Sequence, residues 1–414
     1  MPIKNVMKKE DGIFEILLLI IVLVFCTPYL CRSNFIAPVV AIMWVFILLK
    51  NTFFSGQKPT SRLLLGVISF LIIVFGYRII GHSDAAWGNY LNQLAFYSCI
   101  LLMPLFQKGV RFSKLFLWLL WGVIVLNILD NIWLSIMYPS INIARLYVDE
   151  NFLQSINAGG PSFYMMVLFV FNICYFVFLN CKRKSLRILM LISAILSAVY
   201  ILGYCYKGIT VICFFMSLVI IYYAKRSKNT SKFIALTVSG LFLFLLIGFL
   251  FSDSIVDIIK ALSPHERLTA RLVGLIDSSD IDAGSHSAES RTALYLMSIE
   301  TWLSDIKNFF YGIGDHRVQF GAARTGISQH SDLLDILPIY GLIGLTFIWI
   351  ILKNAFKIIL SYFDNEYRIQ VSTIFLLFIM YGLVEKLFHP MAGAVLFLLL
   401  PLSAGLVNKK KTKL

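Results

Sequence analysis

Residues 161–180 read PSFYMMVLFVFNICYFVFLN, a stretch of 20 residues without a charged side chain. About 20 apolar residues in a helix match the thickness of the hydrocarbon layer of a bilayer. The next residues, 181–187, read CKRKSLR, and a second apolar run follows at 186–204. A basic cluster between two apolar runs predicts a pair of transmembrane helices joined on the cytoplasmic side.

The rest of the chain has the same character. Hydrophobic residues make up 59% of the 414 residues, charged residues only 14%, and the mean hydropathy is +0.82. Soluble domains carry nearly twice that share of charge, so the composition predicts an all-α polytopic membrane protein. Twelve spans are predicted, at 13–31, 35–50, 63–81, 89–106, 115–137, 161–180, 186–204, 209–224, 233–251, 334–352, 371–388 and 390–406.

The basic residues predict the orientation of these spans. Of the 36 Lys and Arg residues, 24 fall in alternate connections and in the two chain ends. Because such residues accumulate on the cytoplasmic side, both termini are predicted to be cytoplasmic. The net charge of +14 is then a feature of topology, and no nucleic-acid partner is expected.

Residues 1–414 are interpreted as one transmembrane domain with a single large outer loop at 252–332, between the ninth and tenth spans. Within this loop, an amphipathic helix is predicted over 288–310, ended by Gly312 and Gly314. Its apolar face would consist of residues at three- and four-residue spacing, namely Tyr295, Ile299, Trp302, Leu303, Ile306 and Phe309. Two interpretations are open for this helix. It lies on the membrane surface as a lid, or it packs against the bundle.

Ionisable residues gather on the predicted outer side, where all six histidines fall. Arginine, which suits bidentate recognition of phosphate, outnumbers lysine there. Arg267 and Arg271 are four residues apart and would share a helix face, and Arg291 stands at the start of the amphipathic helix, where the helix dipole also favours an anion. The alternative is that these arginines pair with the eleven acidic residues of the loop.

Four more positions are candidate site residues. His330 stands just before the tenth span and is followed by Asp332. Two roles are open for His330, a general base or a polar residue at the start of a helix. Asp130 is a carboxylate within a span, with Arg78 as its expected partner. Lys207, in a tight turn, could reach a lipid headgroup. No nucleotide-binding loop and no metal-ligand spacing is found, so neither cofactor nor metal is expected.

The sequence also carries a longer pattern, YGIGDH at 311–316 followed by SQHSDLLDILPIYGLIGL at 328–345. It resembles the signature of the O-antigen ligase and polymerase superfamily: an arginine before an amphipathic helix, Gly-x-Gly, His with a small polar residue, and Gly-Leu-x-Gly entering a span. YCYKG at 204–208 resembles the family's Ser-Arg-Gly turn, with Lys207 replacing arginine. Asn157–Ser162, with Arg145 upstream, resembles the outer loop before the sixth span.

The resemblance implies a GT-C-like bundle that acts as an inverting glycosyltransferase on polyprenyl-linked saccharides. His330, Asp332 and Arg291 would be catalytic. The remaining candidates would hold the substrate and its diphosphate: Arg267, Arg271, Arg145, Arg78, Lys207 and Asp130. The family also implies undecaprenyl-diphosphate substrates, a chain-length regulator as partner, and a bacterial inner membrane location with the site facing the periplasm.

Three other interpretations remain. An O-antigen ligase shares the motif and differs in its acceptor. A lipid-linked oligosaccharide flippase has a similar size and basicity, although its charges are expected within the spans rather than in outer loops. A structural membrane protein would leave the outer histidines and arginines unexplained.

Overall fold

A computed structural model describes residues 20, 24–32, 37–45, 58–83, 87–104, 112–138, 158–205, 208–227, 291–316, 326–328 and 331–408. These residues form helices and their connections, with no strand among them. Eight of the described helices are long and apolar enough to cross a membrane. The prediction of a polytopic helical membrane protein is thereby confirmed. The predicted span 233–251 lies outside the described residues, and 13–31 and 35–50 are described only in part.

Eleven helices carry the argument below. They are α1 Lys58–Ile79, α2 Trp87–Leu102, α3 Phe112–Met137, α4 Pro161–Asn180, α5 Lys184–Tyr204, α6 Gly208–Arg226, α7 Arg291–Leu303, α8 Ile306–Tyr311, α9 Asp332–Ser361, α10 Arg368–Val384 and α11 Pro390–Val407. Short helical segments also occupy Pro28–Arg32 and 37–45. The helix predicted to end at residue 352 continues in α9 to Ser361.

Helices α4 and α11 form the centre of the described bundle. In their apolar windows 78% and 89% of the residues are buried, whereas about a third are buried in α1, α3, α5 and α6. These outer helices expose large apolar side chains such as Leu65, Ile72 and Phe215. In a membrane protein such side chains face lipid, so packing rather than hydropathy separates the central helices from the peripheral ones.

The helix ends sort into two groups. At one end, Lys225 Nζ donates to Leu179 O, Asn180 Nδ2 donates to Gln370 Oε1 over 2.8 Å, and Tyr362 Oη donates to Met103 O over 2.6 Å. We call it the basic end, because the turns there carry Lys182, Arg183, Lys184, Arg187, Lys225, Arg226 and Arg368. The opposite end, where α1 and α10 finish and α9 begins, is called the site end below.

The predicted amphipathic helix is two helices in the structure. It breaks between α7 and α8, where the Asp305 side chain caps α8 by accepting a hydrogen bond from Asn308 N over 2.8 Å. The two pieces fold against each other, because the Trp302 ring stacks on Phe309 at 4.9 Å and its Nε1 donates to Phe309 O. The predicted end is confirmed, since Gly312 terminates α8 with a φ of 72°.

The apolar face predicted for this segment is only partly the face that packs. Leu303 and Ile306, assigned to it from their spacing, are 56% and 79% exposed. The residues buried against α9 include Leu294 and Ser298 instead. For Ile306 the reason is that the break at Asp305 resets the helical phase, so spacing across it does not define one face. Leu303 is exposed as the last residue of α7, directly before the break.

Candidate functional site

At the site end, α9 breaks and the turn after α8 fills the break. Gly341 has φ 62° and ψ −163° within α9, three residues after Pro338. This conformation interrupts the helical ladder. The carbonyl of Pro338 instead accepts from Ile313 N over 2.7 Å, and that of Ile339 accepts from Gly314 N over 3.0 Å. Two carbonyls inside a long apolar helix are thereby satisfied by the Gly-x-Gly turn.

Three glycines make this crossing possible. A Cβ at Gly341 would lie 2.3 Å from Phe310 C, and one at Gly312 would lie 2.4 Å from Ile339 C. A Cβ at Gly314 would lie within bonding distance of His82 O, at the end of α1. All three have positive φ, which other residues adopt at a cost. The glycines noted in the sequence motif therefore serve a close approach of three backbone segments.

A buried carboxylate fastens α7 and the 326–328 segment to α9. Asp335, 1% exposed, accepts hydrogen bonds at Oδ1 from Ser298 Oγ over 3.0 Å and from Ser328 Oγ over 2.6 Å. Ser328 N in turn donates to Ser298 Oγ over 2.7 Å. These three hydrogen bonds are buried and share their partners, so this small network joins three separate segments.

Asp332 begins α9 and holds the turn between α10 and α11. Its Oδ2 accepts from Leu387 N over 2.6 Å and from Phe388 N over 2.7 Å. The preceding Ser331 caps α9 by accepting from Leu334 N, and its Oγ donates to Gly382 O, both over 3.0 Å. The residue expected to help His330 in catalysis thus has a clear structural task at one of its oxygens.

The contribution of the Asp332 carboxylate to stability can be measured. We expect Asp332→Ala to lower the free energy of unfolding by about 2–4 kcal/mol, because two buried backbone N–H groups lose their acceptor. Asp332→Asn keeps one acceptor oxygen and should lose less. Thermal unfolding of the purified protein in detergent compares the three forms. Equal stability of all three would show that the turn does not depend on this carboxylate.

A second polar cluster joins the end of α1 to the Gly-x-Gly turn. Ser83 Oγ donates to Asp315 O over 2.7 Å and also contacts Tyr90 Oη, and Tyr77 Oη donates to Tyr311 O. His82 lies edge-on to the ring of His316, with ring centroids 6.3 Å apart. These contacts bring residues more than 200 positions apart in the chain to one place.

Arg78, a predicted substrate residue, lies beside this cluster. Its guanidinium donates to Ser83 O over 3.0 Å and lies over the Trp87 ring at 5.2 Å. The ion pair expected between Arg78 and Asp130 stays a prediction. Asp130 itself is half-buried on α3, near Asn131, whose Oδ1 accepts from Gly159 N over 2.6 Å.

Most of the other predicted site residues cannot be placed. Arg291 is the first described residue of α7, and its side chain is not described. The remaining candidates lie outside the described residues, namely His330, Arg267, Arg271, Arg145 and Lys207. The basic half of the predicted site therefore stays a prediction.

The described half of the site end is acidic, which the search for arginines did not anticipate. Among the described residues the buried charged side chains are four carboxylates, Asp315, Asp332, Asp335 and Glu385. All four belong to this end of the bundle. No group of three or more metal-ligating side chains occurs among the described residues. Two of these four carboxylates were recognisable in the sequence, because Asp332 and Asp335 lie three residues apart at the start of the tenth predicted span.

The described fold and site define the class as a polytopic α-helical membrane protein with a polar cluster at one end of the bundle. No model of a known protein family matches the chain, and no curated protein aligns with it significantly.

Proposed function

We propose that this protein is a polysaccharide polymerase of the O-antigen type. It would transfer a growing glycan from undecaprenyl diphosphate to a lipid-linked repeat unit, at the periplasmic face of a bacterial inner membrane. The finer architecture belongs to the same proposal: twelve spans in a GT-C-like bundle, both termini in the cytoplasm, and a chain-length regulator as partner.

The observation that carries the proposal is the convergence of the motif. Its pieces are spread over some fifty residues of the sequence. Gly312 and Gly314 lie against the break at Gly341. Ser331, which follows His330 directly, donates a hydrogen bond to Gly382 O. Glycines of a motif that meet in the fold support a shared site better than the same residues counted along the chain.

The start of α7 belongs to the same place. Tyr295, one turn after Arg291, donates from its hydroxyl to Val384 O over 3.0 Å. The next residue, Glu385, accepts at its carbonyl from Asp332 N over 3.4 Å. Tyr295 of α7 and Asp332 of α9 are therefore both anchored at the turn after α10, which supports a joint role for the segments that carry them.

The proposed reaction uses these residues in distinct roles. A hydroxyl of the acceptor sugar attacks the anomeric carbon of the donor glycan from the face opposite the diphosphate, and the bond between that carbon and the diphosphate oxygen breaks. His330 takes the hydroxyl proton. Arg291, with Arg267 or Arg271, stabilises the charge that develops on the leaving undecaprenyl diphosphate.

The test supplies undecaprenyl-diphosphate-linked repeat units to the purified protein in lipid vesicles and resolves the products on a gel. A ladder of lengths is expected, and His330→Ala or Arg291→Ala should slow its formation by about 100-fold or more. Arg183→Ala is a control, because Arg183 is exposed at the basic end.

Other outcomes would contradict the proposal. A ladder that forms at the same rate in all three variants would show that His330 and Arg291 do not have the roles assigned to them. A single transfer to lipid A core would indicate a ligase, and translocation of the lipid-linked sugar without a new glycosidic bond would indicate a flippase.

A further inference from the structure

Helices α7 and α8 expose an apolar surface that nothing in the proposed reaction uses. Its members are Leu296, Leu303, Ile306, Phe310 and Tyr311, between 41% and 79% exposed. The same two helices also expose charged or polar side chains, among them Glu300, Asp305 and Lys307. A helix that presents both kinds of side chain to its surroundings is typical of the boundary between lipid and water.

The depth of α8 follows from its contacts with α1. The last residue of α8, Tyr311, accepts at its carbonyl from Tyr77 Oη. Tyr77 lies within the membrane-spanning window Arg62–Ile79, two residues before its end. At 1.5 Å per residue this is about 3 Å along the helix axis. The end of α8 is therefore level with the last turn of a span, not above it.

The contacts with α9 also place the end of α8 within the apolar layer. The backbone of Phe310 and Tyr311 lies directly against Gly341. Exposed Lys353 lies twelve residues further along α9, or about 18 Å. Because a lysine keeps its ammonium near the membrane boundary and the apolar layer is about 30 Å thick, Gly341 falls in the outer half of that layer, about 12 Å from its outer boundary.

We infer that α7 and α8 form an interfacial helix pair, in which Leu303, Ile306, Phe310 and Tyr311 are inserted among the lipid acyl chains beside the site end. The occupant of this surface is the bilayer itself. Helix α1, whose Tyr77 contacts the end of α8, also exposes apolar side chains, with Ile72 and Ile79 66% and 83% exposed. Glu300 and Lys307 then lie at the level of the headgroups.

This arrangement has a consequence for access to the site end. The Gly-x-Gly turn follows α8 directly and is bonded to the break in α9. A pair of helices inserted at the boundary would present this turn to lipid-borne molecules in the outer half of the bilayer. The inference about depth rests on these contacts and on the apolar lengths of α1 and α9, and it does not depend on the proposed function.

The experiment places single nitroxide spin labels on the full-length protein in vesicles of phosphatidylethanolamine and phosphatidylglycerol. Labels at Ile306→Cys and Phe310→Cys are compared with Ile72→Cys as a lipid-facing reference and Lys182→Cys as an aqueous one. All seven native cysteines are buried, so the introduced thiols are the accessible ones. Collisions with oxygen, which concentrates in lipid, and with a water-soluble nickel complex are measured at each site.

At Ile306 and Phe310 we expect oxygen to exceed nickel, as at Ile72, with the ratio inverted at Lys182 and intermediate at Lys307→Cys. A nickel-dominated signal at Ile306 and Phe310 would overturn the inference. So would spin-spin broadening at these sites that disappears on dilution with unlabelled protein, because the surface would then be covered by a second copy of the chain. Unchanged circular dichroism of each variant establishes that it is folded.

Discussion

Replacing Gly341 with alanine is expected to lower the free energy of unfolding by about 3 kcal/mol or more, because two costs add. The residue has φ 62° and ψ −163°, a region that only glycine enters easily. The new Cβ would also lie 2.3–2.5 Å from backbone atoms of Phe310 and Tyr311, which cannot move aside as a flexible side chain would. The docking of α8 on α9 should therefore loosen.

Two glycines in other helices provide the matched control. Gly76 and Gly122 lie within α1 and α3, and a Cβ at either would meet nothing within 4 Å. Alanine there should leave stability unchanged or raise it by up to about 1 kcal/mol. The measurement is thermal unfolding in detergent, followed by size-exclusion chromatography. If Gly341→Ala unfolds at the same temperature as Gly76→Ala and wild type, the crossing at α9 does not need glycine.

The second large effect is expected at Asp335. Asp335→Ala removes the acceptor shared by the Ser298 and Ser328 hydroxyls and leaves both donors buried, which should cost about 3 kcal/mol. On the proposed function, transfer should also slow, since Ser328 stands two residues before His330. A double-mutant cycle of Ser328→Ala with Asp335→Ala measures the coupling between the two side chains.

The control for Asp335 lies on α7, the helix that carries its partner Ser298. Glu300 is an exposed acidic residue of α7, so Glu300→Ala should change stability by less than about 0.5 kcal/mol. Additive effects of Ser328→Ala and Asp335→Ala would contradict the network. A transfer rate that stays normal in a folded Asp335→Ala variant would show that the proposed reaction does not need this network.

Much of the fold was predictable because membrane helices are coded locally. The lipid requires each span to satisfy its own backbone with apolar side chains, so spans such as 161–180 coincide with α4. The end of α9 was not predictable in the same way. It continues to Ser361, past Lys353 and Lys357, because helices that leave the apolar layer no longer need apolar residues.

Less of the site was predictable. The amphipathic segment and its end at Gly312 and Gly314 were recognisable in the sequence, and the structure contains helices over 291–311 and the glycine turn after them. The roles of Asp335 and Ser298 were not, because they arise from contacts between α7 and α9 that no spacing encodes. The arginines expected to bind diphosphate remain predictions.

By itself, the sequence determined that the chain is a helical membrane protein and where most spans begin, since hydrophobic length is a property of each segment alone. The tertiary structure decided which helices are central, that α7 and α8 separate at Asp305, and that the break at Gly341 is filled by the turn after α8. The physical reason is the same in each case. An unsatisfied carbonyl or an uncovered face is resolved by whichever segment reaches it, and that partner can lie anywhere in the chain.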